Sequence, residues 1–327
     1  MKLLFAIIAM CCMVGLLDQD AFSEVIWHHP PDKAIVRGGG RLHAILELQG
    51  EDPSSLTMHL NDVPIPPAKP PVRTPKGTFA HYYVQLESGP NTLEAIWRGG
   101  RETREAFFVI PWGKGRRAPA GFTPLVFHQA GKFENNCGSC HDLQPKLQDA
   151  APPAPEQSTC YVCHAQITAF KQVHGPASRW ACTFCHDPDS APARYATPQP
   201  NVSELCFRCH NTLKEYFYKG PYQHGPTATG RCTICHNPHA TDNPFWLKRP
   251  PWYLCTSCHT EKASGRHVIA WGPSGNTHPT RGKPDPMRPH MELACNSCHN
   301  PHAAPSPKLW QFRVTGRFQL CQTCHQK

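Results

Sequence analysis

The chain has 327 residues, a formal net charge of +9, 36 Pro, 23 Gly, 18 Cys and 21 His. Its length suggests about two domains, its Pro and Gly content stays below that of low-complexity disorder, and beyond the N-terminus no apolar run nears the roughly 20 residues of a membrane span. Composition excludes a collagen, a coiled coil and an ordinary cytosolic globule, and leaves one anomaly, the Cys and His content.

Residues 1–23 read as a secretory signal peptide. Lys2 gives the positive start, Leu3 to Leu17 the apolar stretch, and Ala21 and Ser23 the small residues before a cleavage site at Glu24. A retained anchor helix is the alternative, although its core would be short. A lipid-modified Cys11 or Cys12 is disfavoured because Met10 or Cys11 would stand where a small residue belongs. Export, to the periplasm or the cell surface, removes both cysteines and leaves no membrane span in the mature chain.

Residues 24–112 contain no Cys and hold 19 Leu, Ile and Val. Strands are predicted at Leu42 to Leu48, Leu56 to Leu60, Thr78 to Leu86, Asn91 to Arg98 and Arg104 to Ile110. Turn signals at Asn61-Asp62, Ser88-Gly-Pro-Asn91 and Gly99-Gly100 separate them. Short, regular strands of this kind predict a small antiparallel sandwich. The segment Leu86-Glu-Ser-Gly-Pro-Asn-Thr-Leu93 resembles the turn between late strands of bacterial immunoglobulin-like domains. His28, His29, His43, His59 and His81 are read as strand-surface residues, with His28 and His29 also placed to cap a group in a neighbouring subunit. Residues 113–127, basic and rich in Gly and Pro, read as a linker.

From residue 128 the composition changes. All 16 remaining cysteines fall into one pattern, C-x-x-C-H, repeated eight times. The copies are Cys137–Cys140-His141, Cys160–Cys163-His164, Cys182–Cys185-His186 and Cys206–Cys209-His210, then Cys232–Cys235-His236, Cys255–Cys258-His259, Cys295–Cys298-His299 and Cys321–Cys324-His325. This is the attachment signature of a c-type haem: the two thiols form thioethers with the two vinyl groups, and the following imidazole points at the iron. A disulfide framework would account for an even Cys count but not for the recurring His. Zinc ribbons would leave eight His unexplained. The cofactors expected are therefore eight covalent c-type haems.

Eight more histidines follow residue 127 outside the motifs: His128, His174, His224, His239, His267, His278, His290 and His302. They match the number of distal ligands that eight bis-His haems need. Met287 and Met291 flank His290 and are the alternative axial ligands. His236-Asn-Pro-His239 and His299-Asn-Pro-His302 place a second imidazole three residues after the proximal one. The porphyrin disc stands between that imidazole and the far face of its own haem, so it should reach a neighbouring haem.

The motifs are doubled. First-Cys separations within pairs are 23, 24, 23 and 26 residues, and His174-Gly-Pro and His224-Gly-Pro each stand eight residues before a pair. Cys182 to His210, Cys232 to His259 and Cys295 to His325 resemble the multihaem cytochromes c with doubled C-x-x-C-H motifs, over about residues 128–327. The first pair departs from the pattern, with Asp142-Leu-Gln after His141. The resemblance implies electron transfer through closely packed bis-His haems outside the cytoplasm. Its partners would be redox proteins, either other multihaem cytochromes or a membrane quinol or porin-cytochrome complex.

Residues 128–327 hold only 17 Leu, Ile and Val. That is too little aliphatic surface to offset ordering costs of roughly 1–2 kcal/mol per residue, so haem must supply the core. The second domain is thus expected to be haem-packed and mostly irregular, with short helices such as one from Ser203 as N-cap. Trp180, Trp246, Trp252, Trp271 and Trp310 are expected at haem edges. The basic charge compensates haem propionates rather than marking a nucleic-acid partner. Every motif ends in His, which favours an electron carrier with a docking or filament-forming sandwich domain. The alternative is a multihaem reductase of a small inorganic substrate with one open iron.

Overall fold

A computed structural model describes residues 24–37, 40–50, 52–109, 117–129, 137–138, 141–143, 154–197, 201–263 and 278–325. The expected signal peptide, Cys140, His267 and Trp271 lie outside the described residues. The chain divides into two compact units, Met1–Leu125 and Val126–Lys327.

The first unit is a two-sheet sandwich. One sheet has the order β1-β3-β7-β6, formed by Glu24–His29 (β1), Arg41–Gln49 (β3), Gly77–Gln85 (β7) and Lys69–Thr74 (β6). The other runs β10-β2-β9-β8-β4-β5, from Thr123–Pro124 (β10), Ala34–Val36 (β2), Gly100–Phe108 (β9), Gly89–Trp97 (β8), Thr57–Leu60 (β4) and Val63–Ile65 (β5). Read as A-B-E-D against a G-F-C sheet, this is the strand order of an immunoglobulin-type sandwich. Alternate residues face inward. Leu42, Ala44, Leu46 and Leu48 of β3 meet Met58, Leu93, Ala95 and Ala106 from the opposite sheet in one core.

Asn91 fixes the entry to β8. Its Nδ2 donates to the carbonyls of Glu87 and Gly89, and its Oδ1 accepts from the Glu87 amide at 2.8 Å. The five predicted strands form within a few residues of their expected limits. β1, β2, β5, β6 and β10 go beyond them. Pro64, Pro70 and Pro71 mask β5 and β6 in the sequence, and such residues are tolerated because both strands are sheet edges. The C-terminal end of the expected linker pairs with β2 as β10. His29 is a correction: a register shift between Trp27 and His29 turns it inward, and it is buried, with Nδ1 donating to His43 O at 2.5 Å.

The second unit is built from turns, short helices and three two-stranded ladders among the described residues. Its buried apolar side chains are few: Trp180, Val202, Phe207, Phe217, Leu293 and several Ala. The helix Ser203–Phe207 begins where expected, but Ser203 is its first residue and not its cap. Asn201, two residues earlier, accepts at Oδ1 from both the amide and the hydroxyl of Ser203. Short helices Gly175–Ser178 and Gly225–Ala228 each start after a His-Gly-Pro step. Each is followed by a residue of positive φ, Trp180 (φ 54°) and Gly230 (φ 66°), two positions before the first Cys of a pair.

Candidate metal centre

One local geometry recurs in all eight motifs. The His amide donates back to the carbonyl of the first Cys, in a single helical turn of 2.9 to 3.1 Å. His141 bonds Cys137 and His164 bonds Cys160; His186, His210, His236, His259, His299 and His325 do the same with Cys182, Cys206, Cys232, Cys255, Cys295 and Cys321. The turn places both thiols and the imidazole on one side of a short segment, as a covalently tethered disc requires.

In three of the four doubled motifs the first imidazole is held by a carbonyl nine residues on. His186 Nδ1 lies 2.7 Å from Tyr195 O, His236 Nδ1 2.8 Å from Phe245 O, and His299 Nδ1 2.7 Å from Lys308 O. A carbonyl only accepts, so Nδ1 carries the proton and Nε2 is the free donor atom for a metal. These carbonyls were not picked out in the sequence, where the constant spacing of nine was the available signal.

The spare histidines meet the motif histidines across a gap of fixed width. Ring centres are 6.0 Å apart for His174–His210, His186–His239, His224–His259 and His236–His302, with interplanar angles of 12° to 28°. His128–His164 and His278–His325 stand at 6.2 Å. Two imidazoles on opposite sides of one metal ion, each bound at about 2 Å, hold their ring centres about 6 Å apart. That is too wide for stacked rings in contact and fits a bis-imidazole haem. Burial and neighbouring histidines push His164, His239 and His302 down to about 4, so all three are neutral ligands at ordinary pH.

Two ladders supply four of the six spare imidazoles. Gln172–Val173 pairs antiparallel with Ala240–Thr241, and the His174 amide donates to His239 O at 2.8 Å. Tyr222–Gln223 pairs with Ala303–Ala304, and the His224 amide donates to His302 O at 2.9 Å. Each ladder therefore serves both members of one doubled motif. His174 and His239 face His210 and His186; His224 and His302 face His259 and His236. His239 and His302 thus face the histidine of a neighbouring motif rather than that of their own.

The cysteines order the sites in space. Cys160 and Cys182, Cys206 and Cys232, and Cys255 and Cys295 lie close enough to interact across successive pairs. Within pairs, Cys185 lies close enough to Cys209, Cys235 to Cys258, and Cys298 to Cys324 to interact electrostatically. From the second motif to the eighth, each motif lies near the next in sequence. Among the described residues His141 faces none of the spare histidines. Among the described residues His290 is exposed on Arg288–Glu292 and faces no motif histidine. Trp180 is buried edge-on to Tyr161, Trp246 packs on His174, Trp310 faces His299, and Trp252 lies under the Arg281 guanidinium.

The family model described as "Doubled CXXCH motif" matches residues 174–215, 224–264 and 288–327. The multiheme cytochrome MtrA of Shewanella baltica (strain OS185) is 30% identical over 221 residues, which covers 51% of this chain and 65% of that protein. The match thus spans less than two thirds of that relative's length. Among solved structures, the Ig-like domain (615–713) of human obscurin-like protein 1 is 12% identical at a TM-score of 0.23, over 32% of this chain and 100% of that domain. The M1 domain of titin is 16% identical at a TM-score of 0.18, over 26% of this chain and 90% of that domain.

Proposed function

We infer that this chain, an immunoglobulin-type unit followed by the doubled CXXCH region of a multihaem cytochrome, is an exported electron carrier with eight covalent c-type haems. The observation that carries the reading is the set of six imidazole pairs at 6.0 to 6.2 Å. When bound, each haem supplies a one-electron iron couple. The residues do the rest. Paired thiols would fix each group covalently; the imidazole after them would hold it from one side and, in the six pairs, an imidazole from another segment would hold it from the other. Nδ1–H bonds to Tyr195, Phe245 and Lys308 carbonyls lock three of the ring orientations. Two fixed nitrogen ligands change little between oxidation states, which suits transfer rather than substrate chemistry.

The nearness of each motif to the next supports a single file in motif order. Export follows from the N-terminal reading and from thioether attachment. No helix among the described residues is long and apolar enough to cross a membrane, and the partners are redox proteins that meet the ends of the file. The sandwich serves as the docking or assembly unit. Intact mass of protein matured in an exporting host tests the stoichiometry, and dithionite reduction followed by titration with an oxidant tests the carrier. A mass short of eight haems, or haems that do not all exchange electrons with the oxidant, would overturn it.

A further inference from the structure

The loop after the first motif of a pair has the same construction three times. The amides of His239 and His302 each donate to a side-chain oxygen two residues back, Asn237 Oδ1 and Asn300 Oδ1, both at 3.0 Å. In the second pair Asp187 Oδ1 accepts from the Asp189 amide at 2.9 Å. Each loop closes on an antiparallel bridge, His236–Leu247 and His299–Trp310 in two copies and, in a loop two residues shorter, Asp187–Ala196 in the third. Asp189 therefore occupies the backbone position of His239 and His302, with a carboxylate where they carry an imidazole.

That position has a fixed job in the other copies. It faces the first motif histidine of the preceding pair: His239 faces His186, and His302 faces His236. One pair earlier the corresponding histidine is His141. The loop with Asp189 indeed lies against that motif. Tyr195 Oη donates to Leu143 O at 3.1 Å, and the Arg194 amide donates to His128 O at 2.8 Å.

Among the described residues no other imidazole faces His141. His128 faces His164. His290 sits on the hairpin that Arg288 ties to Asn296 O, beside the seventh motif. That hairpin belongs to the far end of a file that runs in motif order. In the sandwich, His28 is bonded to Glu47, His29 to His43 O and His43 to His81, and His59 Nδ1 is buried.

We propose that the haem held by His141 carries an exchangeable oxygen ligand, water or the Asp189 carboxylate, in place of a second imidazole. That site admits a small exogenous ligand such as carbon monoxide, cyanide or nitrite. This rests on the haem reading above, so covalent haem content is measured first by intact mass. If the haems are missing, that reading fails and this one with it. With haems present, the oxidised holoprotein should show one high-spin ferric haem by low-temperature electron paramagnetic resonance. The dithionite-reduced protein should bind about one carbon monoxide per eight haems.

Asp189→His restores the repeat's own residue on the same turn and should abolish both signals. His302→Ala, which uncovers His236, should raise carbon monoxide binding to two. Asp189→Ala separates the two oxygen sources: a changed ferric spectrum with carbon monoxide binding retained identifies the carboxylate, and an unchanged spectrum identifies water. A fully low-spin holoprotein that binds no carbon monoxide overturns the proposal. So does a high-spin signal that survives Asp189→His.

Discussion

His174 and His239 are adjacent on one ladder, 65 residues apart in sequence, with the His174 amide donating to the His239 carbonyl at 2.8 Å. The bond connects the segment before one doubled motif to the loop after the first motif of the next. It aims two imidazoles at the two sites of the pair between them. The same relation holds for His224 and His302. The second and third doubled motifs therefore each meet their spare imidazoles on a ladder to which the following pair contributes one strand.

Cross-ligation predicts where a ligand deletion is felt. His302→Ala should leave the haem of Cys295 and Cys298 attached, because those thiols and His299 are untouched. The haem that changes should be that of His236, which faces His302 at 6.0 Å. Intact mass should be lower by the side chain alone, while the ferric spectrum gains one high-spin component. A ferric spectrum unchanged from that of the wild type would contradict the assignment.

His239→Ala and His174→Ala should act on different haems of one pair, those of His186 and His210. Because the two histidines share a ladder, the double variant should lose more thermal stability than the two single variants add up to. Melting curves of the three variants provide the test, and simple additivity would argue against the ladder as a unit.

The sandwich should weaken in mild acid. Burial, aided by the Lys69 charge, holds His81 down to about 4, and burial lowers His29 against the opposing His43 carbonyl bond. A histidine depressed in the folded state is neutral there while the unfolded chain already takes up protons below about 6.5. Its contribution is complete above that pH and is lost as pH falls towards 4. Hydrogen exchange at the amides of β3 and β7 should accelerate between pH 6.5 and 4.5, beyond the intrinsic pH effect. His81→Gln should flatten the dependence.

Leu46 and Asn91 test the sandwich independently of haem. Leu46 is fully buried among both sheets, so Leu46→Ala should cost about 2–5 kcal/mol. Asn91→Ala removes an acceptor and two donated bonds at a buried turn and should cost about 1–3 kcal/mol. Denaturant titration followed by tryptophan fluorescence measures both. The covalent haem content should be unchanged in either variant.

In the sandwich, alternation of apolar residues from Leu42 to Leu48 was enough to place β3, because burial of one face imposes a period of two. The edge strands β5 and β6 were illegible for the opposite reason. Exposed on one side and interrupted by Pro64, Pro70 and Pro71, they owe their form to the neighbour they pair with. His29 is similar: only the bulge in β1 turns it inward.

The sequence alone determined the tethers. Haem attachment needs five consecutive residues in one turn, and such a local requirement is written in consecutive residues, so all eight motifs with their proximal histidines could be read directly. It also supplied the stock of spare imidazoles and the geometric rule that sends His239 and His302 to a neighbouring site. Only the tertiary structure decided which imidazole faces which, because the second ligand arrives from the opposite side of the gap on a segment tens of residues away. That choice is made by ladder hydrogen bonds such as His174 to His239, which no periodicity reveals. The same structure gives Asp189 its meaning. In the sequence it is one acidic residue in a Pro-rich stretch. In the fold it stands on the turn that elsewhere presents a ligand, because Asp187 closes that turn just as Asn237 and Asn300 do.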